Sequence, residues 1–539
     1  MRSSMNITLP DSVEELKRMY IILTEKFNTL EKEQESKLKE KDTRIDFLLE
    51  ELRAFKRFIF AHKSEKWTAS DKMQAFLFNE AEQTANSETK NDDVKVSGHT
   101  RKKPGRKALS DSIPRVVTVH DIPEEEKKDK DGNELLKKIG EDIKEDLVFI
   151  PAKIFVEKHV YPKYVFIRPS VQEYINGNFP PEIISAPRKK DIIPRSFATA
   201  ALLAYIAVSK FMDHIPLYRL ERIFRRIGVE LSRQTMANWL IVLAKPLRKL
   251  IVVMRSDLRK NTIMTADESS LQVIAEPDRS AQQKSWMWLF TTSDISRPIL
   301  IYKYDQSRAG SVPRKMIGKI FKGHLMTDAF SAYDSCENGR VTLIACWSHV
   351  RRKFKNAFDD AKSELSEKFL FVIQRLYLIE KKLRDTKADE SEILRIRKNE
   401  SLPLLETFHQ MLIEHQLKIS AGGLLGKAIS YAMNCWPRLT AYAHTGHLPI
   451  DNNFTENYIR PFALGRKNWM FCFSPFGASA SAVLYSVTQS AIANGLDPYE
   501  YLTYLFEKLP YLKTRKDFEA VAPHRIDPAV LKMSTAGKN

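Results

Sequence analysis

Three things are scarce in this chain of 539 residues. Cysteine is the first: Cys336, Cys346, Cys435 and Cys472 are widely spaced and none forms a CxxC pair, which argues against a disulfide framework or a cysteine-rich zinc site. Long apolar runs are the second. The longest, FATAALLAYIAV, is too short to span a bilayer, and the opening MRSSMNITLP has no apolar signal core, so the expectation is a cytoplasmic protein without a membrane partner. Negative charge is the third: 68 Asp and Glu against 86 Lys and Arg leave a formal +18. That balance favours polyanionic partners, with nucleic acid as the leading candidate.

Within this basic chain the stretch DNNFTENYIRPFALGRKNWMF, residues 451–471, sets one carboxylate, Glu456, among amides, arginines and a lysine. It reads as a metal ligand beside a phosphate-binding surface, or as a capped surface helix with an incidental acid. Asp451 or Asn452 is suited to cap a short helix presenting Glu456 and Arg460 one turn apart, with Pro461 breaking or kinking it. Arg466 and Lys467 follow as further phosphate contacts.

Taken in order, residues 1–65 read as an oligomerisation helix. Leu16, Tyr20, Leu23, Phe27 and Leu30 recur four and three apart, and Ile45, Leu48, Leu52, Phe55 and Ile59 resume the stripe after a polar centre. This is a short coiled coil with a slip, or an amphipathic helix packed on its own domain. Residues 66–112 form a polar linker whose RKKPGRK run offers Arg106 to a minor groove, or is simply a solvated charge run. Residues 113–170 alternate as a small β-rich module. From 190 to 250 two amphipathic helices, joined through Gly228 and capped at Ser232, make a helical hairpin. It is a helix-turn-helix that offers Arg233 to DNA, or a hairpin inside an α-rich domain.

The periodicity then becomes strand-like. NTIMTADESSLQV carries Asp267, SWMWLFTT and PILIYKY follow, GHLMTDAFSAY carries Asp328 at a strand end, and VTLIACW is a fifth strand. This α/β layout spans 255–475, with a charged helical insertion over about 359–448. Helices follow over 476–510 and a mobile tail over 511–539. Asp267, Asp328 and Glu456 together suit phosphodiester chemistry, because two Mg²⁺ ions held by hard oxygen ligands stabilise both attacking and leaving oxygens. The helix HVRRKFKNA places Arg351, Arg352 and Lys353 to hold a DNA backbone. His349 is near enough to contact the scissile phosphate, or is a structural histidine, and Arg308 is placed to reach phosphate.

TADESS, MTDAFSAYD, SHVRRKF, NNFTENYIRPFALGRKNW and NGLDPYEYL, in that order, resemble the transposases of the insertion sequence 66 family. The resemblance covers most of the chain. It implies a ribonuclease-H-like core, with Asp267, Asp328 and Glu456 as an Asp-Asp-Glu triad that also holds two Mg²⁺ ions, or Mn²⁺. It also implies cleavage of DNA at the ends of a mobile element and joining of the freed 3′ hydroxyls to target DNA. The fold class is therefore multidomain α/β. The partners are element-end and target DNA, a second copy through the coiled coil, and accessory proteins of the element, in the nucleoid of a bacterium. One departure stands out. The family's cysteine-type zinc module has Lys128, Asp131, Phe166 and Pro169 at its ligand places here, which predicts a metal-free module and no zinc. Two rival readings are a nuclease of the same fold without strand transfer and a DNA-binding protein that has lost catalysis.

Overall fold

The computed structural model describes residues 190–531 apart from 294 and 295, parts of 12–48 and 154–164, and the pair 184–185. Arg106, the linker and most of the expected β-rich module lie outside the described residues. The chain divides into two units, residues 1–61 with 160–539, and residues 62–159. No described helix is long and apolar enough to cross a membrane. Residues 20–31 are helical, and Tyr20, Leu23, Phe27 and Leu30 along it are all at least 60 % exposed.

Two short strands, β1 (Lys163–Tyr164) and β2 (Ile184–Ser185), pair antiparallel. Three helices follow: α1 (Ala200–Phe211), α2 (Leu217–Arg226) and α3 (Arg233–Leu258). The α2–α3 corner forms as the residue types dictate. Gly228 takes φ +82° after α2, and the Ser232 side chain accepts the Thr235 amide at 3.1 Å to start α3. Arg233 is then the first residue of α3, exposed.

The sheet comes next. Its strands are β3 (Ile263–Gln272), β4 (Lys284–Thr292), β5 (Leu300–Asp305), β6 (Gly323–Thr327) and β7 (Val341–Ala345), with α4 (Ser311–Ile317) between β5 and β6. In space the order is β5-β4-β3-β6-β7. β3, β4 and β5 are antiparallel neighbours, while β6 and β7 run parallel to β3. β4 is buried on nearly every residue after its first, which is why KSWMWLFTT reads as a continuous apolar run.

After β7 come α5 (Trp347–Ala361), α6 (Glu364–Asp385), α7 (Glu390–Ile396), α8 (Leu402–Gln416), α9 (Leu424–Asn434) and α10 (Trp436–Thr440). They build a core of their own around Trp347, Phe354, Phe369 and Phe408, with Ile263, Met326, Ile344 and Ala345 of the sheet. The chain then returns through α11 (Asn453–Trp469), α12 (Pro475–Ala493), α13 (Pro498–Lys508) and α14 (Arg515–Ala520). The helix α12 is buried on almost all sides and closes the open edge of β5. Ser490 Oγ and Ser486 Oγ accept the Leu300 and Tyr302 amides at 3.0 and 2.8 Å, replacing the strand that an exposed edge would invite.

Two expectations fail here. Of the break or kink expected at Pro461, the break does not occur, because α11 runs through it to Trp469. Burial of Ile459, Phe462 and Gly465 holds the helix together past the hydrogen bond that proline removes. The mobile tail is also wrong as far as residue 531: Phe518, Val521, Ala522 and Leu531 are buried, and Arg525 and His524 bind Asp257 of α3.

Candidate active site

Asp267 lies in the middle of β3, the central strand, and Asp328 follows directly after β6, its parallel neighbour. The β3–β6 register pairs Ile263 with His324 and Thr265 with Met326. Carried two residues further, it sets Asp267 level with Asp328, on strands about 4.8 Å apart. Ala329 at φ +61° turns the chain away at once. The Asp328 carboxylate accepts the Phe330 amide at 3.0 Å, and the Tyr431 hydroxyl donates to the Asp328 carbonyl at 2.5 Å. The helical block after β7 thus braces this turn.

Glu456 arrives on the first turn of α11, and that helix is pinned along β3 at both ends. Thr455 Oγ1 and Thr265 Oγ1 are 2.6 Å apart. The Asn452 side chain donates to the Ala266 carbonyl at 3.2 Å, and the Arg466 guanidinium donates to the Ser270 carbonyl and hydroxyl. Glu456 itself is 3 % exposed. It accepts from Ser348 Oγ at 3.0 Å and from Arg352 Nη2 at 2.8 Å, and His349 Nδ1 stands 3.3 Å away.

The acids feel one another. The Asp267 carboxyl is pushed well above the usual carboxylate range, first by burial and then by the negative charges of Glu268, Glu456 and Asp328. Its carboxylate accepts the Glu268 amide at 2.8 Å. Burial likewise raises Glu268, with Asp328 adding to it and Tyr333 and Arg308 opposing. Burial and then Arg352 lower the His349 imidazole to about 4, so this ring is neutral near pH 7.

These observations test the fit of hard divalent cations. A half-buried acid raised by three other acids is suited to a positive ion, and carboxylate oxygen is the donor that Mg²⁺ takes. The three predicted acids do not form a tight single-ion cage. Among the described residues the donor atoms that all lie within 4.8 Å of one another are those of Cys346, His349 and Glu456. Outer ligands of two ions about 4 Å apart are naturally farther separated.

Glu268 was missed in the sequence, although it adjoins Asp267 in TADESS. It turns to the other face of β3, where Tyr333 Oη donates to it at 2.6 Å and Arg308 donates at 2.6 and 2.9 Å. Arg308 is correspondingly not a free phosphate ligand. Its guanidinium sits 4.6 Å from the Trp286 ring centre and 3.6 Å from that of Phe330.

The other predicted cations divide the same way. Arg352 is spent on Glu456 and Arg466 on Ser270. Arg351 and Arg460 are half-buried, Lys467 and Lys353 are exposed, and Lys353 Nζ lies 4.5 Å from the Tyr431 ring centre.

Comparison with known proteins agrees in order along the chain. Residues 195–480 match the model of the transposase IS66 family, and residues 486–524 match the IS66 C-terminal element. Residues 129–165 match the zinc-finger binding domain of transposase IS66, and residues 48–118 match a model described as transposase C of IS166 homeodomain. The uncharacterized protein y4qI of Sinorhizobium fredii is 28 % identical over 91 % of this chain and 90 % of its own length. The uncharacterized protein y4jD of the same organism is 29 % identical over 69 % and 73 %. No solved structure matches significantly.

The zinc-finger match overturns the expectation of a chain without zinc, and the Cys346, His349 and Glu456 cluster adds to the correction. Cys346 and His349 stand only three apart in the chain, but the third ligand, Glu456, comes from a distant segment that the fold brings to them.

Proposed function

The chain belongs to the IS66 family of transposases, and on that premise we propose that it acts at the ends of its own insertion sequence as an Asp-Asp-Glu transposase. It hydrolyses a phosphodiester to free a 3′ hydroxyl, then directs that hydroxyl onto a target phosphodiester. In the first step a water oxygen bonds to phosphorus as the bond to the 3′ oxygen breaks. In the second, the freed 3′ oxygen bonds to the target phosphorus as a target strand leaves.

What supports this is the electrostatic meeting of Asp267, Asp328 and Glu456, which come from three separated stretches of chain. The strand order, three antiparallel strands extended by two parallel ones, supports a ribonuclease-H-like core. Asp267 would serve both of two Mg²⁺ ions, or Mn²⁺, and Asp328 and Glu456 one each. Bound there, the ions supply charge stabilisation for the attacking and leaving oxygens.

The chain's own groups do the rest. Arg352 holds Glu456 in place, Arg351 and the exposed Lys353 of α5 would attract the phosphate backbone, and neutral His349 would accept a hydrogen bond from substrate. The exposed stripe of Tyr20, Leu23, Phe27 and Leu30 would pair two copies so that both element ends are held together.

The test is strand cleavage and joining on labelled DNA carrying the element ends, with Mg²⁺, comparing the wild type with Glu456→Gln. The wild type should cut and join, while the variant binds the same DNA and does neither. Cutting without joining would instead identify a nuclease. Equal behaviour of the two proteins would remove Glu456 from the chemistry.

A further inference from the structure

Two buried lone-pair atoms beside the acids lack hydrogen-bond partners: His349 Nδ1 and Asn452 Oδ1. His349 Nδ1 stands 3.3 Å from Glu456 Oε1 without bonding to it. An imidazole nitrogen and a carboxylate oxygen in that relation are set as two ligands of one cation are set, since ligands each about 2.1 Å from a tetrahedral ion stand about 3.4 Å apart. A third donor is at hand. The Cys346 Sγ, imidazole and carboxylate atoms all lie within 4.8 Å of one another, and the Ser348 hydroxyl now links sulfur to carboxylate at 2.9 and 3.0 Å, a link that an ion joining the two donors would replace.

Local structure orients that sulfur. Cys346 is the N-cap of α5, and the Asn452 amide donates to its Sγ at 3.1 Å. Burial, then the charges of Glu456 and Asp451, push this thiol up, so the sulfur becomes a thiolate donor only with a cation beside it, the Asn452 amide helping. One turn of α5 then brings His349 to the same side, and α11 contributes Glu456.

We propose that Cys346, His349 and Glu456 form a site for a thiophilic divalent ion of the zinc class, and that an ion held there withdraws Glu456 from Asp267 and Asp328. Softness decides the class: thiolate and imidazole suit zinc, whereas Mg²⁺ takes oxygen. Three protein donors leave a fourth position open. The inhibitory consequence follows because Glu456 is a single carboxylate. Turned toward sulfur and imidazole, it no longer completes a hard oxygen set, and Arg352 loses the partner it now has at 2.8 Å. This consequence rests on the transposase reading above; the binding itself does not.

Cobalt(II) is the probe, because it substitutes for zinc and shows a near-ultraviolet thiolate charge-transfer band. The full chain has only four cysteines, so any such band must arise from one of them. The wild type should develop the band on titration with cobalt and lose it when zinc is added. Cys346→Ser should abolish the band and weaken binding at this site tenfold or more, while Cys472→Ser retains it. Absence of the band in the wild type, or its survival in Cys346→Ser, overturns the site; the wild-type measurement stands even if the variant folds poorly. In Mg²⁺-dependent cleavage, zinc should inhibit the wild type at concentrations that leave the rate of Cys346→Ser unaltered relative to its own zinc-free rate. Equal zinc sensitivity would overturn the withdrawal of Glu456. A protein that never cleaves would show the transposase reading at fault while leaving the cobalt result intact.

Discussion

Asp257 and Asp267 lie close in the chain, one in the last turn of α3 and the other in β3, and their electrostatic surroundings are opposite. Asp257 receives Lys260 at 2.8 Å, His524 at 3.0 Å and Arg525 at 2.6 Å. Burial would raise its carboxyl, but the hydrogen bonds from these three groups outweigh it and hold the group down to about 2. Asp267 is raised by burial and by three more acids. A fold that supplies one acid with a guanidinium from a distant segment and a neighbouring ammonium, yet surrounds the next acid with carboxylates, separates a structural joint from a place that takes its positive charge from outside.

The largest expected effect breaks the second half of that contrast. Asp267→Asn should lower cleavage and joining by about a thousandfold, the several kcal/mol of charge stabilisation that a bound ion provides. The fold should not suffer. A raised carboxyl favours the folded state while protonated. Its cost sets in as pH rises past the ordinary carboxylate value of about 4 and grows until the folded value is passed. At neutral pH the asparagine variant should therefore melt no lower than the metal-free wild type. Added Mg²⁺ or Mn²⁺ should raise the melting temperature of the wild type more than that of the variant. A variant that melts well below the metal-free wild type would mean that Asp267 is a structural joint as well.

Next in size is the reverse experiment. Asp257→Asn should cost about 2 kcal/mol in urea unfolding, less than a fully enclosed pair would, because Lys260 and Arg525 are partly solvated. Cleavage per folded molecule should hold. Here the carboxyl is lowered in the fold, so its contribution is complete above the unfolded value near 4 and is lost as pH falls toward 2. The difference between wild type and variant should shrink over that interval. A difference that persists at pH 2 would assign the stabilisation to packing of Arg525 and His524 instead.

The same contrast explains what was legible in the sequence. TADESS and MTDAFSAYD were readable as strand-borne acids because a strand ending in a carboxylate breaks an apolar pattern that the core demands. SHVRRKF and the Glu456 stretch were readable because a charge cluster at a helix start has few structural uses. What sequence could not show was which cations the fold had already committed. Arg308 looks available until Glu268, Trp286 and Phe330 are seen around it. Arg466 likewise looks available until α11 is laid along β3. Glu268 escaped notice because only the pleat, which turns neighbouring residues to opposite faces, gives it a separate set of partners. Pro461 and the tail misled for a related reason: local rules mark where a helix should stop, and burial of Phe462 or Phe518 overrides them.

An intermediate effect follows for Arg308→Lys. Two guanidinium nitrogens donate to one oxygen of Glu268, and the planar group lies against two rings; an ammonium keeps the charge and loses both arrangements. Stability should fall by about 1 kcal/mol. Cleavage should fall about tenfold through displacement of Glu268 beside Asp267 and Asp328, with DNA affinity at fixed salt nearly unchanged. A loss of affinity equal to the loss of cleavage would return Arg308 to the role of phosphate ligand.

The smallest effect separates two cations that look equivalent in the sequence. Lys353 is exposed beside the acids, whereas Arg466 donates to the Ser270 carbonyl. If Lys353 meets a phosphate, Lys353→Ala removes about one released counterion. The plot of log affinity against log salt then becomes shallower by about one unit, uniformly across DNA sequences. Arg466→Ala should leave that slope nearly unchanged and instead lower stability, because its loss strands a β3 carbonyl and loosens the C-terminal end of the helix that carries Glu456. The pair of slopes is more informative than either affinity, since a loosened α11 also weakens binding. Only a true phosphate contact changes how binding responds to salt. Equal slope changes for the two variants would mean that Arg466 leaves Ser270 when DNA arrives, and that α11 shifts along β3 as the site is filled.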